Sequence, residues 1–363
     1  MRGRWAVQVP LLPDELFSSW LVRTALAQGC DPLVLTGALW PRWRIWTRDP
    51  DRGLNEERIA ILARISGIEA SRFEAATLRP TAAAIAQAPL DRLGIWPWML
   101  ALGSRNRMHR GGLQCCPCCL RENGVPYYRT QWRLAWHTGC GAHGVFLLDR
   151  CPRCNAPLEP HRLSAQACHL AICATCQQDL RNAHTVPFPS AAHTFQRTAD
   201  EILKAGQGFY GTKRLFPGGF LELSRYFVML LRKMALTRAQ RLVSFAQALG
   251  VDADSLWLPA TGLALELLPV GERAQLVAGA WKMLNAGPEC FLAAAKDAAL
   301  TKASLEAQHR CIPDLIARLI GALPEKNVPR KQATRSARHR PRSRQTVMGM
   351  FVRLQRKMLV GAR

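Results

Sequence analysis

Four short cysteine motifs follow one another in the middle of this 363-residue chain: CCPCC at 115–119, CGAH at 140–143, CPRC at 151–154 and CATC at 173–176. Each motif contains two candidate ligands three residues apart, so that a tight turn can direct both at one ion. Sets of four thiolate or imidazole ligands suit tetrahedral Zn²⁺. The order of the motifs therefore predicts two zinc sites, each built from two consecutive motifs.

Eight side chains are the predicted ligands, in two sets of four: Cys116, Cys119, Cys140 and His143; and Cys151, Cys154, Cys173 and Cys176. Neighbouring residues leave alternatives open at both sites. Cys115 and Cys118 could replace Cys116 and Cys119, although the preferred register puts Pro117 directly after the first ligand, as in the CPRC motif. Cys168 or His169 could replace one ligand of the second set.

The predicted zinc sites are structural. A catalytic zinc keeps one position open for water, whereas each set here already supplies four protein ligands. The sequence contains no H-E-x-x-H motif, and its odd number of cysteines, 13, argues against a disulfide scaffold. We expect two structural Zn²⁺ ions per chain and no catalytic residue, and therefore not an enzyme.

The chain is strongly basic. It has 49 Lys and Arg against 26 Asp and Glu, a formal net charge of +23, which suggests a polyanionic partner such as nucleic acid. The longest nearly apolar stretch, 93–103, is interrupted by Pro97 and is shorter than the about 20 residues of a membrane span. The first ten residues lack the apolar segment of a secretory signal. We expect a cytoplasmic protein without membrane contact.

Apolar residues recur with helical spacing on both sides of the cysteine motifs. The chain is predicted to be mainly α with a small β/zinc-ribbon module. We predict four parts, which are an N-terminal helical, helix-turn-helix-like domain at 1–110, two tandem zinc ribbons at 111–186, a C-terminal helical domain at 187–325, and a basic tail at 326–363. The tail is expected to be partly disordered and to contain an amphipathic helix.

Three places match the spacing of a helix-turn-helix unit, in which a small residue, a Gly and an apolar residue join two helices. The three sets are Ala25, Gly29 and Leu35; Ala63, Gly67 and Phe73; and Ala246, Gly250 and Leu256. Four N-terminal helices are predicted. The first begins at Asp14 and ends at Gly29, and the other three span 31–39, 54–65 and 70–78. Each match is also explained by a plain helical hairpin, and both interpretations stay open.

A loop with interleaved aromatic and basic residues, WPRWRIWTR at 40–48, follows the second predicted helix. Exposed rings can stack on bases while the guanidinium groups contact phosphates. The candidate nucleic-acid contacts in this loop are Arg42, Trp43, Arg44 and Arg48. In the alternative interpretation the tryptophans pin the loop to the core and the arginine stems cover them.

The C-terminal tail is a second candidate nucleic-acid contact. No acidic residue follows Glu325, and the candidate phosphate contacts are Arg335, Arg338, Arg340, Arg342 and Arg344. An apolar stripe that begins at Val347 could instead lie in a groove on a partner. A third interpretation is a solvated tail that matters only for solubility.

Two series of motifs give the chain a resemblance to a known family. The first is PDELFSSWLVR at 13–23, preceded by VP at 9–10, and the second runs from CPCCL at 116–120 through WRL at 132–134 to CPRC at 151–154. Over residues 5–185 these motifs resemble the TniQ family of transposon target-selection proteins, which is related to TnsD. The resemblance implies the same eight zinc ligands and does not extend to the basic tail.

The resemblance implies a role in DNA transposition. Proteins of this family choose target sites by recognising DNA directly or by riding on a guide-RNA complex. They recruit an AAA+ ATPase of the TniB or TnsC kind, which in turn engages the transposase, and they are not enzymes themselves. A bacterial, nucleoid-associated location follows, and a homodimer is compatible with the resemblance. The alternative function is a free-standing, zinc-dependent, DNA-binding transcription regulator, which would share the charge and the helix-turn-helix pattern.

Overall fold

The computed structural model describes residues 3–90, 94–102, 112–252, 263–306 and 312–325, together with Met348 and Phe351. Contacts group residues 1–324 into one unit and residues 325–363 into a second. The described residues of the first unit are mainly helical, with two short antiparallel hairpins. The predicted mainly α fold with a small β component is confirmed. The domain boundaries predicted at 110 and 186 lie inside the first unit and stay predictions.

The described N-terminal part has five helices, which are α1 Phe17–Ala27, α2 Pro32–Leu39, α3 Glu56–Ser66, α4 Ala70–Ala75 and α5 Arg79–Ile85. α1 begins later than predicted, because Asp14 has a left-handed backbone, with φ of 51°, and Glu15 forms a β-bridge with Arg129. The helix predicted at 70–78 ends early, at Ala75, and α5 begins only at Arg79. The Leu78 N–H donates to the Asp51 carbonyl at 2.7 Å, which ties the break to another segment.

Glycines join two of the predicted helix pairs. Gly29 lies between α1 and α2 with φ of 70°, and Gly67 lies between α3 and α4 with φ of 73°. A left-handed backbone of this kind favours glycine. The third pattern extends to Leu256, which lies outside the described residues. DNA binding by any of the three pairs stays a prediction.

The central segment contains the short helix α6, Pro117–Glu122, and a hairpin formed by β1, Gly139–Cys140, and β2, Val145–Phe146. Gly139 pairs with Phe146 and Cys140 pairs with Val145. A single β-bridge between Cys115 and Leu148 connects the start of α6 to the chain that follows the hairpin. Regular backbone hydrogen bonding is sparse in this segment, which is the situation in which bound metal contributes most to a fold.

The C-terminal part is built on long helices whose predicted apolar stripes face the core. Its elements are α7 Ser190–Ala205, β3 Gly208–Tyr210, β4 Lys213–Leu215, α8 Pro217–Thr237, α9 Gln240–Ala248, α10 Val270–Asp297, α11 Lys302–Glu306 and α12 Asp314–Ile320. The ring centroid of Phe291 lies 6.0 Å from that of Phe227 and 5.3 Å from that of Phe245. These contacts join α8, α9 and α10. α10 is kinked at Gly287, which precedes Pro288.

Most of the predicted tail lies outside the described residues, including its five candidate arginines. Met348 and Phe351 are described, and both are helical and exposed. Among the helices of the described residues, none combines the length and the apolar character that a bilayer crossing requires.

Candidate metal centres and nucleic-acid interface

The first predicted ligand set meets at one point, which we call the first cluster. The Sγ atoms of Cys119 and Cys140 are 3.5 Å apart. The His143 Nδ1 atom lies 3.3 Å from Cys140 Sγ, 3.4 Å from Cys119 Sγ and 3.6 Å from Cys116 Sγ. All four ligand atoms lie within 4.8 Å of one another. Zn–S bonds of about 2.3 Å give a tetrahedron with edges of about 3.8 Å, so these donors fit a tetrahedral metal ion.

A helix and a hairpin position the first cluster. Cys116 directly precedes α6, and Cys119 lies in its first turn, where a tight turn was predicted. Pro117 takes the first helical position, at which the missing N–H leaves no hydrogen bond unmade. Cys140 ends β1, and the Gly144 N–H donates to the Cys140 carbonyl at 2.8 Å. This turn brings the second pair of ligands back toward α6.

A carboxylate orients the imidazole of the first cluster. The His143 Nε2 atom lies 2.8 Å from Glu122 Oε2. Because Nδ1 faces the thiols, this contact favours the tautomer with hydrogen on Nε2, the usual arrangement behind a metal-bound imidazole. The pKa of His143 is raised, chiefly by its hydrogen bond with Cys140. Glu122 lies on α6, so the element that carries two ligands also orients a third.

The second predicted ligand set forms a second cluster of four sulfur atoms. Cys151 Sγ lies 3.6 Å from Cys176 Sγ, and Cys154 Sγ lies 3.7 Å from Cys173 Sγ. All four atoms lie within 4.8 Å of one another. These separations match the edges of about 3.8 Å expected for a tetrahedral zinc–thiolate site.

Two matching turns present the thiols of the second cluster. The Asn155 N–H donates to the Cys151 carbonyl, and the Gln177 N–H donates to the Cys173 carbonyl, each at 2.9 Å. Asn155 and Gln177 have left-handed φ values of 55° and 58°. The equal spacing of the CPRC and CATC motifs thus corresponds to the same local backbone. Both clusters could hold a metal ion, and Zn²⁺ is the ion that their donor chemistry suits.

The alternative ligands of the first site lie outside its cluster. Cys115 is buried, and burial raises the pKa of its thiol. Cys118 is partly exposed, and the Arg121 Nη2 atom lies 3.5 Å from its sulfur. The geometry thus favours the register of Cys116 and Cys119 over that of Cys115 and Cys118.

The alternative ligands of the second site also lie outside its cluster. Cys168 is exposed. The His169 Nε2 atom faces Asp179, with Oδ2 at 3.9 Å. Whether the eight clustered side chains bind metal stays a prediction that a measurement of metal content would test.

The two motif series meet in space. The Leu16 N–H donates to the Tyr128 carbonyl at 2.8 Å, and the Tyr128 N–H donates to Ser19 Oγ at 2.9 Å. Arg129 pairs with Asp14 at 2.7 Å. Residues of the N-terminal motif therefore form a hydrogen-bonded interface with the segment that connects α6 to the β1–β2 hairpin.

A buried arginine extends this interface. Arg133 is fully buried, and it pairs with Asp49 and, at 2.6 Å, with Asp51. Its Nη2 also donates to the Leu100 carbonyl at 2.7 Å. Asp51 in turn accepts from the backbone N–H and the hydroxyl of Ser18, at 2.7 and 2.9 Å. Burial opposes the charge of Arg133, but the two carboxylates outweigh it and raise the pKa of the guanidinium.

A second buried arginine joins the C-terminal helices to the central segment. Arg273 of α10 donates to the Ala135 carbonyl and to Gln114 Oε1, both at 2.7 Å. Burial lowers its pKa to about 10. Neither arginine was predicted from the sequence to join distant segments. For Arg133 the WRL motif was a signal, but no spacing pattern connects Arg273 with partners more than a hundred positions away.

The tryptophans of the 40–48 loop contact the rest of the protein. Trp40 is buried, and its ring centroid lies 5.4 Å from that of Trp43. Trp46 stacks on His161, with the ring centroids 4.9 Å apart and the planes at 12°, and its indole N–H donates to Thr36 Oγ1 at 2.9 Å. These contacts match the alternative interpretation, in which the rings pin the loop.

The basic side chains of the loop remain available. Arg42, Arg44 and Arg48 are exposed, and no acidic residue in the described part of the chain forms an ion pair with them. Trp43 is half-buried under the guanidinium of Arg58, whose Cζ atom lies 3.9 Å from the ring centroid. Contacts of these arginines with phosphates stay a prediction, and a stacking role for Trp43 would require Arg58 to move.

Comparison with protein families supports the resemblance to the TniQ family. The family model TniQ matches residues 6–147, a range that includes the first motif series, the second series as far as WRL at 132–134, and the whole first cluster. Comparison with curated proteins gives no match. The second cluster and the C-terminal helices lie beyond the matched range. Similarity to this family is consistent with a protein associated with transposition. Residues 6–147 of this chain are thus similar to the TniQ family.

Proposed function

We propose that this protein is a target-selection adaptor in DNA transposition. It binds DNA, or a nucleic-acid-guided complex, at the target and recruits an AAA+ ATPase of the TniB or TnsC kind. The ATPase then engages the transposase. The chain itself performs no reaction in this proposal.

The observation that carries the proposal is the match of residues 6–147 to the TniQ family model. The match is supported by structure, because the residues of its two motif series contact one another, as in the pairing of Leu16 with Tyr128. The net charge of +23 supports a nucleic-acid partner. Charge alone fits many DNA-binding proteins, so the family match is what selects an adaptor over a transcription regulator.

The two clusters hold structural Zn²⁺ in this proposal. Each cluster supplies four protein ligands, which leaves no coordination position for a reacting water. The first cluster ties α6 to the β1–β2 hairpin, directly beside the interface formed by the two motif series. Zinc therefore supports the shape of the matched region rather than its chemistry.

The proposal is tested by a pull-down at moderate salt with an AAA+ ATPase of the TniB or TnsC kind, a transposase and duplex DNA. We expect the full-length protein to retain the ATPase in the presence of DNA, and the transposase only when the ATPase is also present. Retention of neither DNA nor ATPase would overturn the proposal. Tight binding of a single operator sequence without any transposition protein would favour the transcription regulator.

A further inference from the structure

Two phenylalanine rings at the β3–β4 hairpin face solvent: Phe209 on β3, and Phe216, which directly follows β4. Phe216 is 70% exposed and Phe209 is 62% exposed, the two highest values among large hydrophobic side chains of the described residues. Single exposed apolar residues are common on protein surfaces and need no explanation. Two exposed rings on one hairpin, with a cation beside them, form a patch that does.

An arginine lies on the same face as the two rings. Arg214 is the cross-strand partner of Phe209, and directly opposed residues of a hairpin project from one face. The Arg214 Cζ atom lies 5.8 Å from the centroid of the Phe216 ring. All three side chains are exposed. The outward face of the hairpin thus combines two aromatic surfaces with one guanidinium group.

The hairpin is anchored on its other face. Tyr210 is buried, with its ring centroid 6.4 Å from that of Phe227 on α8. Gly208 is also buried, and a side chain there would meet Ile202 of α7 at 2.5 Å. Phe209 therefore stands on a strand whose two neighbouring residues are fixed to the core, and Phe216 directly precedes α8. Their exposure does not result from a loose loop.

The charge around the hairpin selects an anionic partner. The hairpin itself carries Lys213 and Arg214, both exposed, and the nearest acidic residues in the sequence are Glu201 on α7 and Glu222 on α8. Exposed aromatic rings combined with cations suit unpaired nucleic acid, because bases stack on the rings while the cations contact phosphates. Paired bases in a duplex do not offer their faces to such a surface.

We propose that the outward face of the β3–β4 hairpin binds single-stranded nucleic acid, with bases stacked on Phe209 and Phe216 and a phosphate near Arg214. This proposal deepens the proposed function and rests on its nucleic-acid binding, since it names the strand state recognised and a surface outside the matched residues 6–147. It replaces the 40–48 loop as the place where aromatic rings contact bases.

The test measures fluorescence anisotropy of labelled oligothymidylate and of a labelled duplex of equal length with the full-length protein. We expect the double variant F209A/F216A to bind oligothymidylate at least tenfold more weakly and the duplex as wild type does. L236A is the matched control, because Leu236 is 60% exposed at the end of α8. It should bind both probes as wild type does.

Further variants separate stacking from apolar contact. F209L/F216L retains apolar surface without a ring and should lose oligothymidylate affinity as the alanine variant does, whereas F209W/F216W should retain it. R214Q should reduce the log–log salt slope for single strands by about 0.7. Wild-type affinity in the alanine or leucine double variant would overturn the proposal, as would absence of oligothymidylate binding by the wild type.

Competition distinguishes an acidic peptide from nucleic acid as the occupant. Unlabelled oligothymidylate should displace the labelled strand far more effectively than polyglutamate at equal charge, and equal displacement would overturn base stacking. The adaptor proposal alone fails if the wild type binds single strands through the hairpin but retains no ATPase. The hairpin proposal alone fails when the ATPase and duplex are retained and the hairpin variants bind single strands normally.

Discussion

At the scale of single residues, a few buried polar side chains hold distant segments together. Arg133 contacts Asp49, Asp51 and the Leu100 carbonyl, and so ties the α2–α3 loop region to the central segment. A buried ion pair is not by itself strong evidence of stability, since desolvation offsets much of the attraction. Removing one partner is nevertheless costly, because it leaves a charge buried without compensation.

Replacing Arg133 should therefore destabilise the protein strongly. We expect R133L to lower the free energy of unfolding by about 3–5 kcal/mol, measured by urea denaturation. R197Q is the control, since the ion pair of Arg197 with Glu201 is exposed on both sides and should change stability by less than about 0.5 kcal/mol. Equal effects of the two substitutions would contradict the role given to Arg133.

His161 gives the protein a predicted pH dependence. Burial under Trp46 lowers the pKa of His161 to about 4. In the unfolded chain, the pKa of a histidine is about 6.5. Between these values the unfolded chain binds a proton that the folded chain does not. The contribution to stability is therefore complete above about pH 6.5 and declines as the pH falls toward about 4, by on the order of 1–3 kcal/mol.

The variant H161F tests this pH dependence. Phenylalanine keeps an aromatic ring against Trp46 but does not titrate. We expect the loss of stability between about pH 7 and about pH 5, followed by urea denaturation, to be smaller in H161F than in the wild type. The same loss in both proteins would show that His161 contributes nothing to it. Groups that titrate elsewhere affect both proteins alike.

At the scale of elements, the two cysteine clusters lie where extended secondary structure is lacking. β1 and β2 have two residues each, which is too little hydrogen bonding to hold a hairpin in water. α6 has six residues, far fewer than an isolated helix needs. The first cluster joins these two elements, so we expect their order to depend on bound metal.

Matched serine substitutions on α6 should separate a ligand from its neighbour. C116S should lower the zinc content from two to one equivalent per chain and loosen the segment around β1–β2, because three ligands bind zinc far more weakly than four. C118S should retain two equivalents. C151S should likewise lose one equivalent, from the second cluster. Metal analysis of reduced protein and hydrogen exchange give the two readouts.

The opposite result on α6 would be informative. Loss of zinc in C118S and retention in C116S would show that the register of Cys115 and Cys118 is the binding one. Fewer than two equivalents in the reduced wild type would show that at least one cluster is not a metal site. Removal of metal by a chelator should expose the same backbone amides as C116S and C151S together.

At the scale of the whole molecule, charge is distributed unevenly. No acidic residue follows Glu325, so the basic residues of the tail have no negatively charged residue in their own segment. A cationic segment contributes to nucleic-acid affinity mainly through release of counterions, with a log–log salt slope of about −0.9 per phosphate contact on duplex DNA. The tail and the body can therefore be distinguished by the salt dependence of binding.

Deleting residues 326–363 should flatten the salt dependence of duplex binding. We expect a smaller slope and weaker affinity at low salt, because several phosphate contacts are lost. A variant with the five candidate arginines of the tail replaced by glutamine should behave in the same way: Arg335, Arg338, Arg340, Arg342 and Arg344. An unchanged slope in both would show that the tail does not contact phosphates.

Much of the architecture could be predicted from local sequence. The CPRC and CATC motifs specify turns whose ligands are only three residues apart, so no distant segment is needed to form them. Helices α2 and α3 are close to their predicted limits, since Pro32 and Gly67 mark an end of each within the sequence itself. Net charge likewise needs no structure to be read.

Other features were decided by packing between distant segments. The convergence of Cys116 and Cys119 with Cys140 and His143 favours the register that the position of Pro117 already preferred. The tryptophans of the 40–48 loop lie against the protein, whereas the two most exposed phenylalanine rings of the described residues, Phe209 and Phe216, lie on or directly after a hairpin that was not predicted to be functional. Composition shows which rings a chain contains, but only the tertiary fold determines which of them reach solvent, because burial depends on what packs against them.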